Sequence, residues 1–252
     1  MIAGAVSTKE LAAWRIFAAT IRMFRRNFGS AIVVLGVLSV LSNAPMTIGQ
    51  KLFPALAESL GKVVWALLWT PWTTFFYSGQ VFYSLDVART GRSEISRWWD
   101  GRAYWAPVLG INIAMALPSS ILGIDVADIS RSPIAATLFL LIVMLMVALL
   151  PRVAFAFHVA VNENLGTVRA FRRSWEISRG HWWRLVRFFV VMMVLYLPLF
   201  MLAHKQPAAV AILFDVFAVP ILHLASSALY LRVLDTHVAA PLAEAMTEQA
   251  HP

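Results

Sequence analysis

The sequence predicts an all-α polytopic membrane protein, with six transmembrane helices and two or three amphipathic interfacial helices on the cytoplasmic side. Three observations carry this. Sixty per cent of the 252 residues are hydrophobic and 13% are charged, and the mean hydropathy is +0.72, a balance outside the range of soluble domains. About six apolar runs approach the roughly 20 residues that a helix needs to cross the hydrocarbon layer. Their connections are short, so residues 1–252 read as one membrane domain with no separate soluble enzyme domain. Lysine and arginine, finally, are concentrated in alternate connections.

Taken in order, residues 8–27 put Arg15, Arg22 and Arg26 on one stripe and Ile16, Phe17, Met23 and Phe24 opposite, which reads as an interfacial helix. The first span is expected over about 28–50, with Asn43 and Pro45 in its second half, where proline favours a kink or an early end. After a loop at 51–62, the second span covers about 63–88; it is rich in tryptophan, phenylalanine and tyrosine and contains Pro71. Residues 93–103 offer Ser93 as an N-cap and Trp98 and Trp99 as interface anchors, the signs of a second surface helix. The third span follows over 104–124. Ser132 and Pro133 look like an N-cap and first helical residue, opening a fourth span over 133–157 that places Arg152 and His158 towards one end.

The stretch at 165–189 is the most distinctive. Read at 100° per residue, Arg169, Arg172, Arg173, Glu176 and Arg179 share one face of a helix over 165–179, and Phe171 and Trp175 lie on another. That is the pattern of a helix lying on a membrane surface. Gly180 ends it, and Trp182, Trp183, Arg184 and Arg187 form an interfacial belt where the fifth span, 185–203, begins. A turn at 204–206 leads to the sixth span, 207–231, and a polar tail over 235–252 is expected to fray.

Of the 21 lysines and arginines, 17 fall on the side of the N-terminal segment, while Lys51, Lys62, Arg131 and Lys205 fall on the other. The positive-inside rule then puts both termini in the cytoplasm. Residues 1–14 lack the basic start, apolar core and cleavage site of a signal peptide, so Met1 is expected to be the mature start. Ile2 excludes a myristoyl anchor and the absence of cysteine excludes a prenyl one. Without cysteine there is also no disulfide, thiolate metal site or cysteine nucleophile. A net charge of +8 could suggest nucleic acid, but the basic residues border apolar runs. No nucleic acid is expected; anionic lipid head groups are the counter-charge, with protein partners as a further candidate.

RRNFGSAIVV, GRAYWAPVLG and GHWWRLVRFF each join an amphipathic stretch to a span, and they start 76 and 79 residues apart. This suggests three copies of surface helix plus hairpin. The alternative is that any cytoplasmic entry point carries arginine and tryptophan.

Asp215 is the acid placed well inside a span, and an intramembrane carboxylate suggests a proton or cation site. His223 is a candidate relay partner, although eight residues of helix turn the two onto different faces. Arg152 and Asp86 are expected at similar depth and could pair, or Arg152 could reach the head groups by itself. No HExxH, GxSxG or Walker loop is present, and the six histidines are scattered. Neither an enzyme nor a metal site or cofactor is expected.

VNENLGTVRAFRRSWEISRGHWWRLV resembles a signature of bacterial six-span membrane proteins related to the membrane domain of glycerophosphoryl diester phosphodiesterases. The residues that carry the resemblance are Glu163, Gly166, Ala170, Arg173, Ser174, Trp175, Ser178 and Gly180. It implies a bacterial inner-membrane location and a similar layout of spans and surface helices. The phosphodiesterase activity of that group belongs to a separate metal-binding barrel, which this chain lacks. The expected function is therefore a non-catalytic membrane module that organises lipid or partner proteins through its basic surface, contacting them with Arg169, Arg172, Arg173, Arg179, Trp175, Trp182 and Trp183. The alternative is a transporter or lipid-handling protein with a cavity near Asp215.

Overall fold

The computed structural model describes residues 13–52, 59–122, 152–204 and 208–249, together with residues 137, 141 and 149. Among them all regular structure is helical. Helix α1 (Ala13–Arg26) buries Ile16, Thr20 and Phe24, spaced four apart, and exposes Arg15, Arg22, Arg25 and Arg26. Its main neighbour is the last helix of the chain, so the apolar stripe expected to face lipid packs on protein. Helix α2 is continuous through Phe28–Ala31, a π-helical turn at Ile32–Val37, and Leu38–Leu52.

Helix α3 (Ser59–Thr90) is the hub, touching α2, α4, α5 and α8. A 3₁₀ segment at Ile95–Tyr104 folds back along it. The short surface helix expected at 93–103 takes this 3₁₀ form for a steric reason. A Cβ on Gly101 would overlap the backbone at Gly79, and a Cβ on Gly79 would overlap the Trp98 ring. The two bare glycines let the segment press onto α3, where Trp98 Nε1 donates to the Phe76 carbonyl at 3.3 Å. Ser93 does not cap; its hydroxyl donates to Asp86 Oδ2 at 2.7 Å.

Helices α4 (Trp105–Leu122), α5 (Ala156–Asn162), α6 (Thr167–Ser178), α7 (Trp182–His204) and α8 (Ala208–Gln249) complete the fold. Helix α8 is 42 residues long, about 63 Å at 1.5 Å per residue. It continues through the stretch expected to fray because residues 239–249 are rich in alanine, leucine, glutamate and methionine, all strong helix formers.

The helices share one gradient of burial. Val81, Leu85, Val108, Ile111, Phe155, Ala156, Val159, Ala160, Val161, Ala170, Ile177, Leu185, Phe188, Ala225, Ala228, Leu229, Tyr230 and Val233 belong to a single core at one end of the molecule. Away from that end, α2 exposes Val33, Val37 and Leu41, α3 exposes Leu68 and Trp72, and α7 exposes Val190, Val191, Met193, Val194 and Leu195. Every described arginine belongs to the segments around the core. A side chain in the core gains about 1.5–3 kcal/mol over exposure to water, whereas the exposed apolar half has no such partner among the described residues.

Among the described residues, two stretches, Phe28–Pro45 and Ile212–His237, are long and apolar enough to cross a membrane, where six were expected along the whole chain. The stretch expected at 63–88 is not among them: over its described side chains, Thr70, Thr73, Thr74, Ser78, Gln80 and Ser84 lower the hydropathy of α3. These polar groups work inside the protein: Gln80 Nε2 donates to Val34 O at 3.3 Å in the π-helical turn, and the Ser84 and Ser227 hydroxyls join α3 to α8 at 2.8 Å. The expectations at 104–124 and 185–203 extend past the described side chains, and 133–157 lies almost wholly outside the described residues. The hairpin partner of α4 falls in that region too, so the described residues leave the three-fold repeat untested.

Candidate functional site

The arginine and tryptophan motif closes on itself. Asn164 takes the left-handed conformation at φ 50°, turning α5 sharply into α6. Glu163 then faces Arg173, whose Nε donates to Oε2 at 3.1 Å. Ser174 Oγ donates to the Arg152 carbonyl at 2.8 Å, and the Arg152 guanidinium sits 4.3 Å from the centre of the Trp175 ring. Ala170, Ser174, Ile177 and Ser178 form the buried face of α6. Gly180, at φ +87°, ends the unit in a conformation that favours glycine.

From Glu163 a chain of polar groups runs into the core. Tyr230 OH donates to Glu163 Oε1 at 3.3 Å and accepts from Asn162 Nδ2 at 2.9 Å. The His158 ring lies 5.4 Å from the Tyr230 ring, and its Nε2 is 3.4 Å from the Ser226 hydroxyl. Ser226 and His223 line a cavity of about 220 Å³, walled by Tyr77, Phe188, Phe189, Met192 and Leu222. Helices α3, α5, α7 and α8 each supply part of this arrangement. It offers one apolar slot with a hydroxyl and an imidazole at its wall; the His158 ring that meets this hydroxyl packs on Tyr230, the partner of Glu163.

Several candidates fall elsewhere than expected. Arg173 is an internal ion-pair residue, 30% exposed, because Glu163 lies beside it. Arg172 pairs with Glu176 at 3.3 Å one turn along α6. Arg169 and Arg179 are exposed. Trp175 is covered on one face by Arg152; Trp182 and Trp183 pack edge to face at 4.4 Å, with Trp183 the more exposed. Arg152 and Asp86 do not meet. Asp86 instead takes the Ser93 hydroxyl and lies 3.7 Å from Arg97 Nε, because the 3₁₀ segment returns past it. Asp215 is half-buried near Tyr196 and does not line the cavity, whereas His223, two turns on, does. Among the described residues no group of three or more potential metal ligands is present.

A second feature was not foreseen at all. Asn27, 5% exposed, interrupts α1 and α2 and clamps them to the end of α3. Its Nδ2 donates to Met23 O at 2.9 Å and Gly91 O at 3.0 Å, and its Oδ1 accepts from Ser93 N at 3.1 Å. The clamp braces the floor of a cleft of about 850 Å³ lined by Arg26, Arg92, Arg97, Asp86 and Glu94. An asparagine between two helices with a net basic flank was the available signal; its partners, more than sixty residues away, were not.

At the base of α7, burial, the Arg184 guanidinium and His237 hold the His181 imidazole below its ordinary pKa of 6.5. Arg184 Nη1 can only donate, so His181 Nδ1 accepts at 3.2 Å. The proton is then on Nε2, 3.3 Å from Thr236 Oγ1 of α8.

The family model described as Domain of unknown function (DUF7847) matches residues 104–246, more than half of the chain. The chain belongs to this family. Its match takes in α4 to α8, hence the Glu163–Arg173 motif and most of the cavity wall, and leaves out α1 to α3 and the cleft. No curated protein and no solved structure matches the chain. None of these findings connects it to the membrane domain of glycerophosphoryl diester phosphodiesterases that the motif resembles.

Proposed function

We propose that the protein is a non-catalytic, multi-pass module of a bacterial inner membrane that organises lipid or partner proteins through its basic end. The observation that carries this reading is the division of the surface: arginines surround the packed end, while Val33, Leu41, Val194, Leu213 and Phe217 are exposed beyond it. An apolar surface of this extent calls for lipid or a partner. The basic end then meets anionic head groups, each arginine near the surface contributing on the order of 1 kcal/mol. Six spans, with both termini cytoplasmic, agree with the alternating charge of the connections.

Because the chain has no cysteine, single-cysteine variants report topology directly. Lys205→Cys should react with an impermeant thiol reagent on intact cells, and Arg169→Cys only after permeabilisation; the reverse pattern overturns the orientation. For the lipid contact, Arg169→Glu with Arg179→Glu should weaken tryptophan quenching by brominated anionic lipid in reconstituted protein. Arg173 is left out because its change would break the pair with Glu163. Unchanged quenching removes the case for a lipid-organising face.

A second reading, a lipid-handling or transport role, is favoured by the His223 cavity rather than by Asp215. About 220 Å³ accommodates a short acyl segment beside one hydroxyl and one imidazole. Ser226→Leu should close the slot and reduce uptake of a spin-labelled acyl chain, with no change counting against this role.

A further inference from the structure

We infer that the cleft beside Asn27 is a head-group site for a phospholipid carrying both a phosphate and a primary ammonium, of the glycerophosphoethanolamine type. The inference deepens the lipid-organising reading above and rests on it.

The cleft has opposite charges set apart in one rigid frame. Arg26 and Arg92 are exposed at its wall, and guanidinium groups bind phosphate oxygens through paired, charge-assisted hydrogen bonds. Arg97 is already held by Asp86 at 3.7 Å and Asp100 at 2.8 Å, which leaves Arg26 and Arg92 for the anion. Glu94 is exposed and its Oε2 accepts a 3.3 Å hydrogen bond from the Ser96 hydroxyl, so the carboxylate, with its further lone pairs, retains acceptor capacity for an ammonium group. A purely anionic head group would satisfy the arginines and leave Glu94 opposing it. A phosphoethanolamine satisfies both, and its ammonium carries the donors that a carboxylate needs.

The cleft is also placed for an amphiphile rather than for a free phosphodiester. Phe28 lies at its rim, half exposed, with its ring 6.3 Å from that of Phe217 on α8. From there Val33, Val37 and Leu41 continue an exposed apolar track along α2. Gly36 lets the α8 backbone at Val216 come close alongside, since a Cβ there would overlap the Val216 carbonyl. A head group in the cleft therefore leaves its acyl chains against this α2–α8 seam. Asn27 is the positioning residue: through Gly91 and Ser93 it fixes the segment that carries Arg92 and Glu94 relative to Arg26.

The test is native mass spectrometry of the detergent-purified full chain titrated with phosphoethanolamine and phosphoglycerol lipids of equal chain length. The wild type should retain the phosphoethanolamine lipid about tenfold more tightly, a difference of about 1.4 kcal/mol. Arg26→Ala with Arg92→Ala, both at exposed positions that leave the fold intact, should weaken both lipids. Glu94→Gln should equalise the two, weakening the phosphoethanolamine lipid by loss of the ammonium contact and strengthening the phosphoglycerol lipid by loss of the opposing charge. Equal retention by the wild type, or no loss in the double arginine variant, overturns the site. Water-soluble glycerophosphoethanolamine competing as well as the lipid would assign the cleft to a free phosphodiester and overturn the lipid. Membrane fractionation of the same preparations separates the two levels. A chain found with soluble proteins sinks the membrane reading, whereas a membrane-embedded chain without lipid preference sinks this site alone.

Discussion

The two halves of α8 carry similar side chains in opposite surroundings. In the first, Val210, Ile212, Leu213 and Phe217 are between 43% and 57% exposed; in the second, Leu224, Leu229, Tyr230 and Val233 are between 0% and 2% exposed. Both fall in or beside the stretch Ile212–His237, which is apolar enough to cross a membrane throughout. Hydropathy measures the cost of water. It is indifferent to whether lipid or protein replaces water, and between those two the decision rests on packing and on hydrogen bonds. The buried half has both: Ser227 meets Ser84, Tyr230 meets Glu163 and Asn162, and Ser226 meets His158.

The sharpest way to break this contrast is to truncate one aromatic in each half. Tyr230→Ala removes a fully buried ring and leaves Glu163 and Asn162 without their shared hydroxyl. It should cost about 3–5 kcal/mol, read as a large fall in the thermal midpoint of the detergent-solubilised protein. Phe217→Ala, on the exposed half, should cost less than about 1 kcal/mol, since lipid or detergent fills the space. Equal losses would mean that the exposed half is buried against something in the working molecule.

Charge gives the next largest effect. Leu213→Arg, at 57% exposure on the apolar half, should hinder membrane insertion by about 2.5–3.5 kcal/mol if its position lies near the bilayer centre. Val168→Arg, at 80% exposure on α6 among other arginines, should change nothing measurable. Insertion measured by glycosylation mapping or protease protection distinguishes them. Tolerance of arginine at position 213 would place water, not lipid, along that face.

The motif offers a smaller test. Glu163→Gln keeps the size of the side chain but removes the charge that faces Arg173 and the stronger acceptor for Tyr230. The pair is partly exposed, so the loss is held to about 1–2 kcal/mol. Arg172→Gln, 83% exposed, should cost less than about 0.5 kcal/mol. If the two variants behaved alike, the closed α5–α6 motif would not be a stabilising unit.

These contrasts locate what could be read in the sequence. Helix type, the break at Gly180, the amphipathic α1 and α6 and the basic end were legible because each depends on local composition and spacing. The Glu163–Arg173 motif was visible as a pattern, but the pairing that turns Arg173 inward depends on Asn164 reversing the chain, and nothing in the arginine spacing shows it. A short surface helix at 93–103 is legible in the sequence, but its 3₁₀ form is not, because that is set by Gly79 and Gly101, one on each side of the turn at 91–94. The cleft was missed altogether, since Arg26 and Arg92 stand 66 residues apart and meet through Asn27. His223 stands out in the sequence as a candidate relay for Asp215, although eight residues of helix put the two on different faces. An acid inside an apolar run draws notice, whereas Ser226 and Tyr230 look like ordinary packing residues until the core brings them to His158.

The mildest perturbation of the packed end is a change of pH, and its sign follows from His181. Folding holds this imidazole below its ordinary pKa of 6.5, first by burial and then by the charges of Arg184 and His237. The folded protein therefore binds fewer protons than the unfolded chain in the window between the two pKa values. Stability is complete above about pH 6.5 and falls as the pH drops through the folded value. Protonation puts a hydrogen on Nδ1, where Arg184 already donates, and so loosens the base of α7 from Thr236 on α8. Replacing the ring by His181→Gln keeps a donor and an acceptor but removes the titration. The thermal midpoint of the wild type should decline between pH 7 and pH 5 more steeply than that of the variant, by a small margin because His181 is only half buried. Parallel curves would show that the junction of α6 and α7 bears no part of the pH dependence of the packed end.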